Sequence, residues 1–327
     1  MSEKVIKRHV VGVDVGTEFT TYAVVDIQGG ILAKESLRTS DYPNVNDYVS
    51  ILSERIVALV EQNGGYESVR SVGMSAPSGN FVTGSMENAA NMPWKGHVPL
   101  AAMLRDRLGL AVALGNDAHV TAVGEKAFGA ARGLRNFIVI SFSHGGLGSC
   151  LFMEGQPYLG TDGFAGELGH ICINEDGRQC NCGHRGCLEE YASARGLAKT
   201  AQEIIQTTGK RSVLQDVAEI TPQAIADACE QGDEVALETF QQTGRFLGNA
   251  LATYASLIDP EAIILTGDMT LFSKWIMDVL EETFEENVFQ NLKGKVSILI
   301  SPLNNSERDV LGASALAWEV KEYSLFK

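Results

Sequence analysis

The sequence predicts an α/β protein of two lobes, each built on a copy of the same unit, and three observations lead there. A strand, a glycine-bearing loop, a second strand and a glycine turn occur in that order near residue 14 and again near residue 145. This reads as a duplicated βββαβα unit that sets a backbone-rich loop at a strand end in each copy. Strand-like runs alternate with stretches of helical periodicity, the pattern of sheets covered by helices. The 327 residues are about twice a common domain of roughly 150 residues, enough for two cores.

The elements follow in chain order. His9–Val15 is apolar and β-branched, Thr20–Asp26 resumes after a loop holding Gly16, and Gly29-Gly30 turns the chain into Ile31–Arg38, giving three antiparallel strands. Asn46–Gln62 places Val49, Leu52, Ile56, Leu59 and Val60 on one helical stripe, and Gly64-Gly65 stops it. A strand at Val69–Gly73, a Gly-, Pro- and Asn-rich loop from Ser75 to Pro99, a short helix, a strand at Ala111–Leu114 and a helix from Ala118 to about Ala131 complete the first copy. The second opens with Phe137–Phe142, a glycine loop over Ser143–Gly148, and Ser149–Met153 turning at Gly155. Beyond Ala192 the chain is mainly helical, with strands at Ala262–Leu265 and Lys295–Leu299 and a closing helix at Val310–Tyr323. The expected division is a small α/β lobe over 1–116, a larger one over 117–308, and a C-terminal helix within 309–327 packing back on the first lobe.

With 26 Lys+Arg against 41 Asp+Glu, the formal net charge is −15 and the pI about 4.9. No Lys/Arg cluster offers the positive groove that phosphate backbones require, so no nucleic-acid partner is expected for this chain alone. Apolar residues at 45% and charged ones at 20% fit a folded globular chain rather than a disordered one. No apolar run approaches the roughly 18 residues that span a bilayer, and Met1–His9 has no apolar leader core. A cytoplasmic protein without membrane contact is the expectation.

Cys150, Cys172 and Cys229 stand singly, whereas Cys180, Cys182 and Cys187 crowd together behind His170. Three thiolates and an imidazole make a complete tetrahedral set for a structural Zn2+, and Gly183 and Gly186 let the backbone fold tightly enough for the sulfurs to converge. Free surface cysteines are the alternative, and His184 is a competing ligand inside the loop. Asn116-Asp117 follows a strand and precedes a helix, which leaves two roles open: capping the helix, or presenting a carboxylate at a strand end. Glu167 and Glu189 could equally lie on a solvated face.

Glu167-Leu-Gly-His170, Cys-x-Cys-Gly-x-x-Gly-Cys from Cys180 to Cys187, and Leu188-Glu189 together resemble the signature of the ROK family (repressors, open reading frames and sugar kinases). The similarity runs along nearly the whole chain, through Asp14-Val-Gly-Thr17, Asn91-Met-Pro-Trp94, Asn116-Asp117-Ala118, Gly160-Thr-Asp-Gly-Phe-Ala-Gly166, the stretch from Asp259 to Gly267, and Gly312-Ala-Ser-Ala315. Bacterial ROK glucokinases are the members it most resembles. The resemblance implies the two-lobed, actin-like ATPase (ribonuclease-H-like) fold with a zinc-binding element, and an ATP-dependent kinase that phosphorylates a hexose, glucose first, at its 6-hydroxyl. Asp117 is then the catalytic base, and Asn91, Asn116, Asp117, Glu167, His170 and Glu189 are sugar contacts. His170, Cys180, Cys182 and Cys187 hold zinc, which fixes the His170 tautomer so that its other nitrogen is a donor. Asp14, Gly16, Thr17, Gly145, Gly146 and Gly267 face ATP and Mg2+. The resemblance also implies a homodimer or tetramer.

Three departures from the family pattern fall on the nucleotide side. The first loop reads Asp14-Val15-Gly16-Thr17-Glu18 where ROK kinases carry Asp-x-Gly-Gly-Thr. A carboxylate at residue 18 repels phosphates unless it turns to solvent or meets Mg2+. The second loop, Ser143-His-Gly-Gly-Leu-Gly148, lacks the usual Thr, and Leu265-Thr-Gly-Asp268 replaces a run of glycines. These departures keep open a catalytically weak or inactive ROK protein that senses sugar. With 13 residues ahead of Asp14, no DNA-binding domain of its own is expected. The contacts that discriminate hexoses are expected in Ser75–Trp94, with Trp94 near the sugar as a fluorescent reporter and Trp275 and Trp318 in the core.

Overall fold

The computed structural model describes residues 7–89, 91–142 and 146–320. They divide into two compact units: the chain to Gly133 with Leu159–Ala165 and the segment from Pro302, and Leu134–Tyr158 with Gly166–Ser301. Along the first unit come β1 (His9–Val15), β2 (Phe19–Asp26), β3 (Ile31–Arg38), α1 (Val45–Gln62), β4 (Val69–Ala76), the short β5 (Gly79–Asn80), β6 (Ser85–Glu87) and β7 (His97–Val98), α2 (Leu100–Leu108), β8 (Ala111–Asn116) and α3 (Asp117–Ala127). The second unit carries β9 (Phe137–Phe142), β10 (Gly148–Met153), β11 (Gln156–Pro157), α4 (Glu189–Ala192), α5 (Ala194–Thr208), α6 (Pro222–Glu230), α7 (Glu234–Ile258), β12 (Ala262–Gly267), α8 (Ser273–Asn287) and β13 (Ser297–Ile300). Helix α9 (Arg308–Glu319) rejoins the first unit.

The two main sheets have one topology. Their orders are β3-β2-β1-β4-β8 and β11-β10-β9-β12-β13. In each, three antiparallel strands are extended by two parallel ones. This third-second-first-fourth-fifth order is the ribonuclease-H-type unit of the actin-like ATPase fold, present twice. Each main sheet has five strands, one more than the four of the βββαβα unit expected. Among the described residues, no helix is long and apolar enough to cross a membrane.

Burial explains the strand patterns. β9 and β12 are buried at every residue, as central strands with both faces covered must be. β3 at the sheet edge has no buried residue. On one face of the first sheet, α1 presents Tyr48, Val49, Leu52, Ile56, Leu59 and Val60 to Val11, Val13 and Met74. Its start is set by Asn44, whose side chain accepts the Asn46 N–H.

The opposite face is covered by α9. Gly12 and Gly73 are register partners on β1 and β4. A Cβ on Gly12 would lie 2.3 Å from the Val310 carbonyl oxygen, and one on Gly73 2.0 Å from that of Ala313. Gly124 of α3 likewise meets the Gly312 Cα, with room of only 2.8 Å for a Cβ. Because α3 packs on α9, the boundary expected at 116/117 moves to 133/134, and α3 belongs with the first unit. α9 starts two residues earlier than expected and ends at Glu319, while residues 321–323 of the expected helix lie outside the described residues. α3 starts one residue earlier and ends four residues earlier than expected.

Trp94 is 4% exposed, donates its indole N–H to the Tyr42 carbonyl at 3.0 Å, and its ring centroid lies 4.3 Å from that of Tyr48. A tryptophan in an irregular loop can be core when its N–H finds a carbonyl. Trp275 and Trp318 pack part-buried against the two cores.

The glycine seat of α9 yields a stability prediction. Gly73→Ala would push a methyl into helix backbone, which cannot rotate away as a side chain can, and should destabilise the protein by about 3 kcal/mol. Urea unfolding checks this, and an unchanged midpoint would show that α9 is not seated on these glycines.

Candidate active site and cysteine knuckle

The parallel strands of the first sheet end together. Asp14 is opposite Ser75, Ser75 opposite Gly115, and Ala76 opposite Asn116, so the carboxyl ends of β1, β4 and β8 form one edge, where open α/β sheets bind ligands. Asn116 is the cap of α3, its Oδ1 accepting the Ala118 N–H at 2.8 Å. Asp117 opens the helix and its Oδ1 accepts the same N–H at 2.8 Å. Both side chains thus share the cap of α3.

Asp14 sits in a charged cluster that includes two residues not singled out in the sequence. Burial pushes its carboxyl up to about 7, helped by the charges of Asp309 and Asp117, while a hydrogen bond from Ser75 and the charge of Arg308 act the other way. Arg308 is 3% exposed. Its Nε and Nη2 donate to the two Asp309 carboxylate oxygens at 2.9 and 3.3 Å, and Nη1 to Asn305 Oδ1 at 3.2 Å. An Arg-Asp pair opening the last helix, just ahead of Gly312, was the available signal.

The loop after β1 is tight at Gly16, whose N–H donates to the Phe19 carbonyl at 3.0 Å and where a Cβ would lie 2.5 Å from that oxygen. Thr17 and Glu18 are exposed. The Glu18 carboxylate is 3.7 Å from Arg38 and 69% exposed, so it turns to solvent beside a cation, the arrangement that removes its objection to phosphates. Asn91 is exposed in the β6–β7 loop.

In the second unit the β9–β10 loop occupies the equivalent topological position. Gly145, with Ser143 and His144, lies outside the described residues, whereas Gly146 and Leu147 are described. The Leu147 N–H donates to Glu189 Oε2 at 3.0 Å, and Glu189 Oε1 accepts from Arg195 at 3.1 Å. Gly267 ends β12 with φ +94°, and a Cβ there would stand 2.2 Å from the Phe142 carbonyl oxygen, so only glycine fits.

Glu167 precedes a single 3-10 turn, Leu168–His170, that is pinned from below by the Tyr254 hydroxyl donating to the Leu168 carbonyl at 2.7 Å. Glu167 itself is exposed. His170 Nδ1 is 3.7 Å from Cys180 Sγ, Cys182 and Cys187 Sγ atoms are 3.5 Å apart, and the four donor atoms lie within 4.8 Å of one another. A tetrahedron with Zn–S bonds of about 2.3 Å has edges of roughly 3.7 Å, so this donor set fits. His184 is outside the group, and its carbonyl instead accepts the Cys180 N–H at 2.8 Å. Gly186, with φ +73°, admits the chain where a Cβ would meet the Asn174 carbonyl oxygen at 1.7 Å.

Comparison with known proteins follows the geometry. Residues 10–320 match the family described as the ROK family. A glucokinase of Streptomyces coelicolor is 31% identical over 317 residues, 94% of this chain and 97% of its own length. The crystal structure of a ROK family glucokinase from Streptomyces griseus in complex with glucose and AMPPNP has a TM-score of 0.76 at 31% identity, covering 95% of this chain and 100% of that one. A xylose repressor of Bacillus spizizenii is 26% identical over 94% of this chain and 77% of its own length.

The Asp14 carboxyl generates a pH prediction. Its folded value of about 7 lies above the ordinary 3.8, so between these values the native state holds a proton that the unfolded chain has lost. Stability from this group is full at acid pH and is lost as pH rises through about 7. Asp14→Asn should therefore be more stable than wild type at pH 8, by up to about 4 kcal/mol, and should nearly match it at pH 4. Urea unfolding across that range measures the difference, and a constant offset at every pH would contradict it.

Proposed function

The chain belongs to the ROK family, and from that premise we propose that it is an ATP-dependent kinase that phosphorylates a hexose, glucose first, at the 6-hydroxyl. The observation that carries this reading is the strand-end cluster, in which Asp14 near the end of β1 and Asn116-Asp117 at the end of β8 lie on one edge of the sheet on either side of β4. Phosphoryl transfer to an alcohol needs a group to accept the hydroxyl proton and fixed positions for both reactants, with little other covalent work. Asp117 accepts the proton. Asn116 spends its Oδ1 on the helix cap, which leaves its amide N–H groups for a sugar hydroxyl. Asn91, Glu167, His170 and Glu189 supply further sugar contacts.

On the nucleotide side, Thr17 after β1 and Gly145 and Gly146 after β9 are assigned to the phosphates through their backbone N–H groups, as in such loops, while Gly16, whose N–H is taken by the Phe19 carbonyl, keeps the first loop tight beside them. Gly267 leaves space beside the end of β12, and Asp14 is the carboxylate assigned to the Mg2+ that accompanies ATP. His170, Cys180, Cys182 and Cys187 are assigned to a structural Zn2+, which when bound supplies a cross-link that fixes the His170 ring and the segment leading to Glu189.

A sugar-binding regulator is the second reading, favoured by the similarity to a xylose repressor. ADP release with Mg-ATP across a panel of hexoses separates the two. Turnover of one hexose, falling about a thousandfold in Asp117→Asn while that variant still binds the sugar calorimetrically, is the kinase result. Hexose binding without turnover by wild type selects the regulator. A chain that neither binds nor phosphorylates any hexose refutes both.

The zinc assignment has its own test. Purified protein should carry about one zinc per chain by plasma emission spectrometry, and Cys182→Ser should lose most of it and unfold at a lower temperature. Zinc-free wild type, or full occupancy in the variant, would refute the assignment.

A further inference from the structure

The segment Leu159–Ala165 belongs to the first unit, although the chain on either side of it belongs to the second. It closes on itself through the Ala165 N–H, which donates to the Leu159 carbonyl at 3.1 Å. Two buried side chains of the first unit then grip it.

Asn80 is 2% exposed. Its Nδ2 donates to the Asp162 carbonyl at 3.0 Å, while its Oδ1 accepts the N–H groups of Val82 and Thr83 at 2.9 and 3.3 Å. Gly163, with φ +86°, lets the loop approach this closely, since a Cβ there would stand 2.7 Å from Asn80 Oδ1. His119 is 7% exposed and lies two residues past Asp117 on α3. It hydrogen-bonds to the backbone of Ala165. Its Nδ1 is buried and has no hydrogen-bond partner among the described residues, so Nε2 is the nitrogen that reaches the loop. Burial lowers the affinity of the ring for a second proton, which keeps it neutral at pH 7. A buried imidazole with one nitrogen unsatisfied is costlier than an apolar side chain of the same size. The bond to the loop is what distinguishes it from such a side chain.

We infer that Asn80 and His119 are positioning residues for sugar binding. From inside the first unit they fix the loop that runs, two residues past Ala165, into Glu167, and they tie it to the helix that begins with Asp117. The inference rests on the sugar-binding reading of Asp117 and Glu167.

Asn80→Asp keeps the acceptor for Val82 and Thr83 and replaces the donor facing Asp162 with an oxygen. His119→Phe keeps a ring without a donor, and His119→Gln restores an N–H at similar reach. Amide hydrogen exchange over 159–166, hexose affinity by calorimetry, and KM for both substrates are measured on the full chain. The first two variants should show loop exchange faster by about tenfold and hexose binding weaker by about tenfold. KM for ATP should change by less than about twofold, and His119→Gln should lie near wild type. Unchanged loop exchange, or faster exchange with unchanged hexose affinity, overturns the inference. A wild type that binds no hexose removes the sugar reading instead, and loop exchange alone then decides whether these side chains hold the loop.

Discussion

The contact between α9 and the paired glycines Gly12 and Gly73 is the constraint on which the first unit's site depends. Without Cβ atoms on either strand, the helix backbone lies against the sheet itself, with Val310 and Ala313 carbonyl groups where methyls would otherwise stand. That depth places the first turn of α9, with Arg308 and Asp309, beside Asp14 at the end of β1. The crossing of Gly124 and Gly312 sets α3 against the same helix. The helices that open with Asp117 and with Arg308-Asp309 are thereby fixed to one another as well as to the sheet. Close-packed backbone is a stiffer connection than side chains that can change rotamer.

Asp14 has the charges of Asp309, Asp117 and Arg308 around it, and Arg308 stands in the first turn of a helix, where the macrodipole opposes a cation. Its bidentate bond to Asp309 and its third bond to Asn305 compensate for that placement. They also direct much of the positive charge away from Asp14. Burial and two neighbouring carboxylates then outweigh the Ser75 hydrogen bond, and the Asp14 carboxyl rises to about 7. Such a group favours either a proton or a cation. A site that receives Mg2+ with its substrate would exchange one for the other.

Much of this fold was legible because the strands are extreme. His9–Val15, Ile31–Arg38 and Phe137–Phe142 run over the residues that alternation and apolar content predict, and the repeated strand–loop–strand pattern became a repeated sheet order. The cysteine knuckle was legible from spacing, since three sulfurs and an imidazole so close in the chain have few other ways to be arranged. What escaped depends on tertiary return. The boundary at 116/117 failed because α3 is held by a helix from the far end of the chain. Arg308-Asp309 reads as an ordinary solvated first turn until Asp14 is placed beside it. His119 reads as one more helical residue until the loop at Ala165 arrives.

Glu189 shows how two functions converge on one side chain within the second unit. Its Oε2 already accepts the Leu147 N–H at the end of the β9–β10 loop, and its Oε1 takes Arg195. A carboxylate has about four acceptor positions, so a sugar hydroxyl bound by Glu189 would use those that remain. The segment carrying it is also held by protein contacts. Arg178, inside the cysteine-bearing loop, donates to the Glu190 and Gly196 carbonyls at 2.6 and 3.1 Å, pairs with Glu203, and stacks 4.5 Å from the Tyr191 ring centroid. The knuckle is therefore fastened at its base by a guanidinium network, and its four donors meet at the other end. An ion bound there would tighten an element that protein contacts have already shaped. The β9–β10 loop, tied to the same element through Glu189, would be steadied with it.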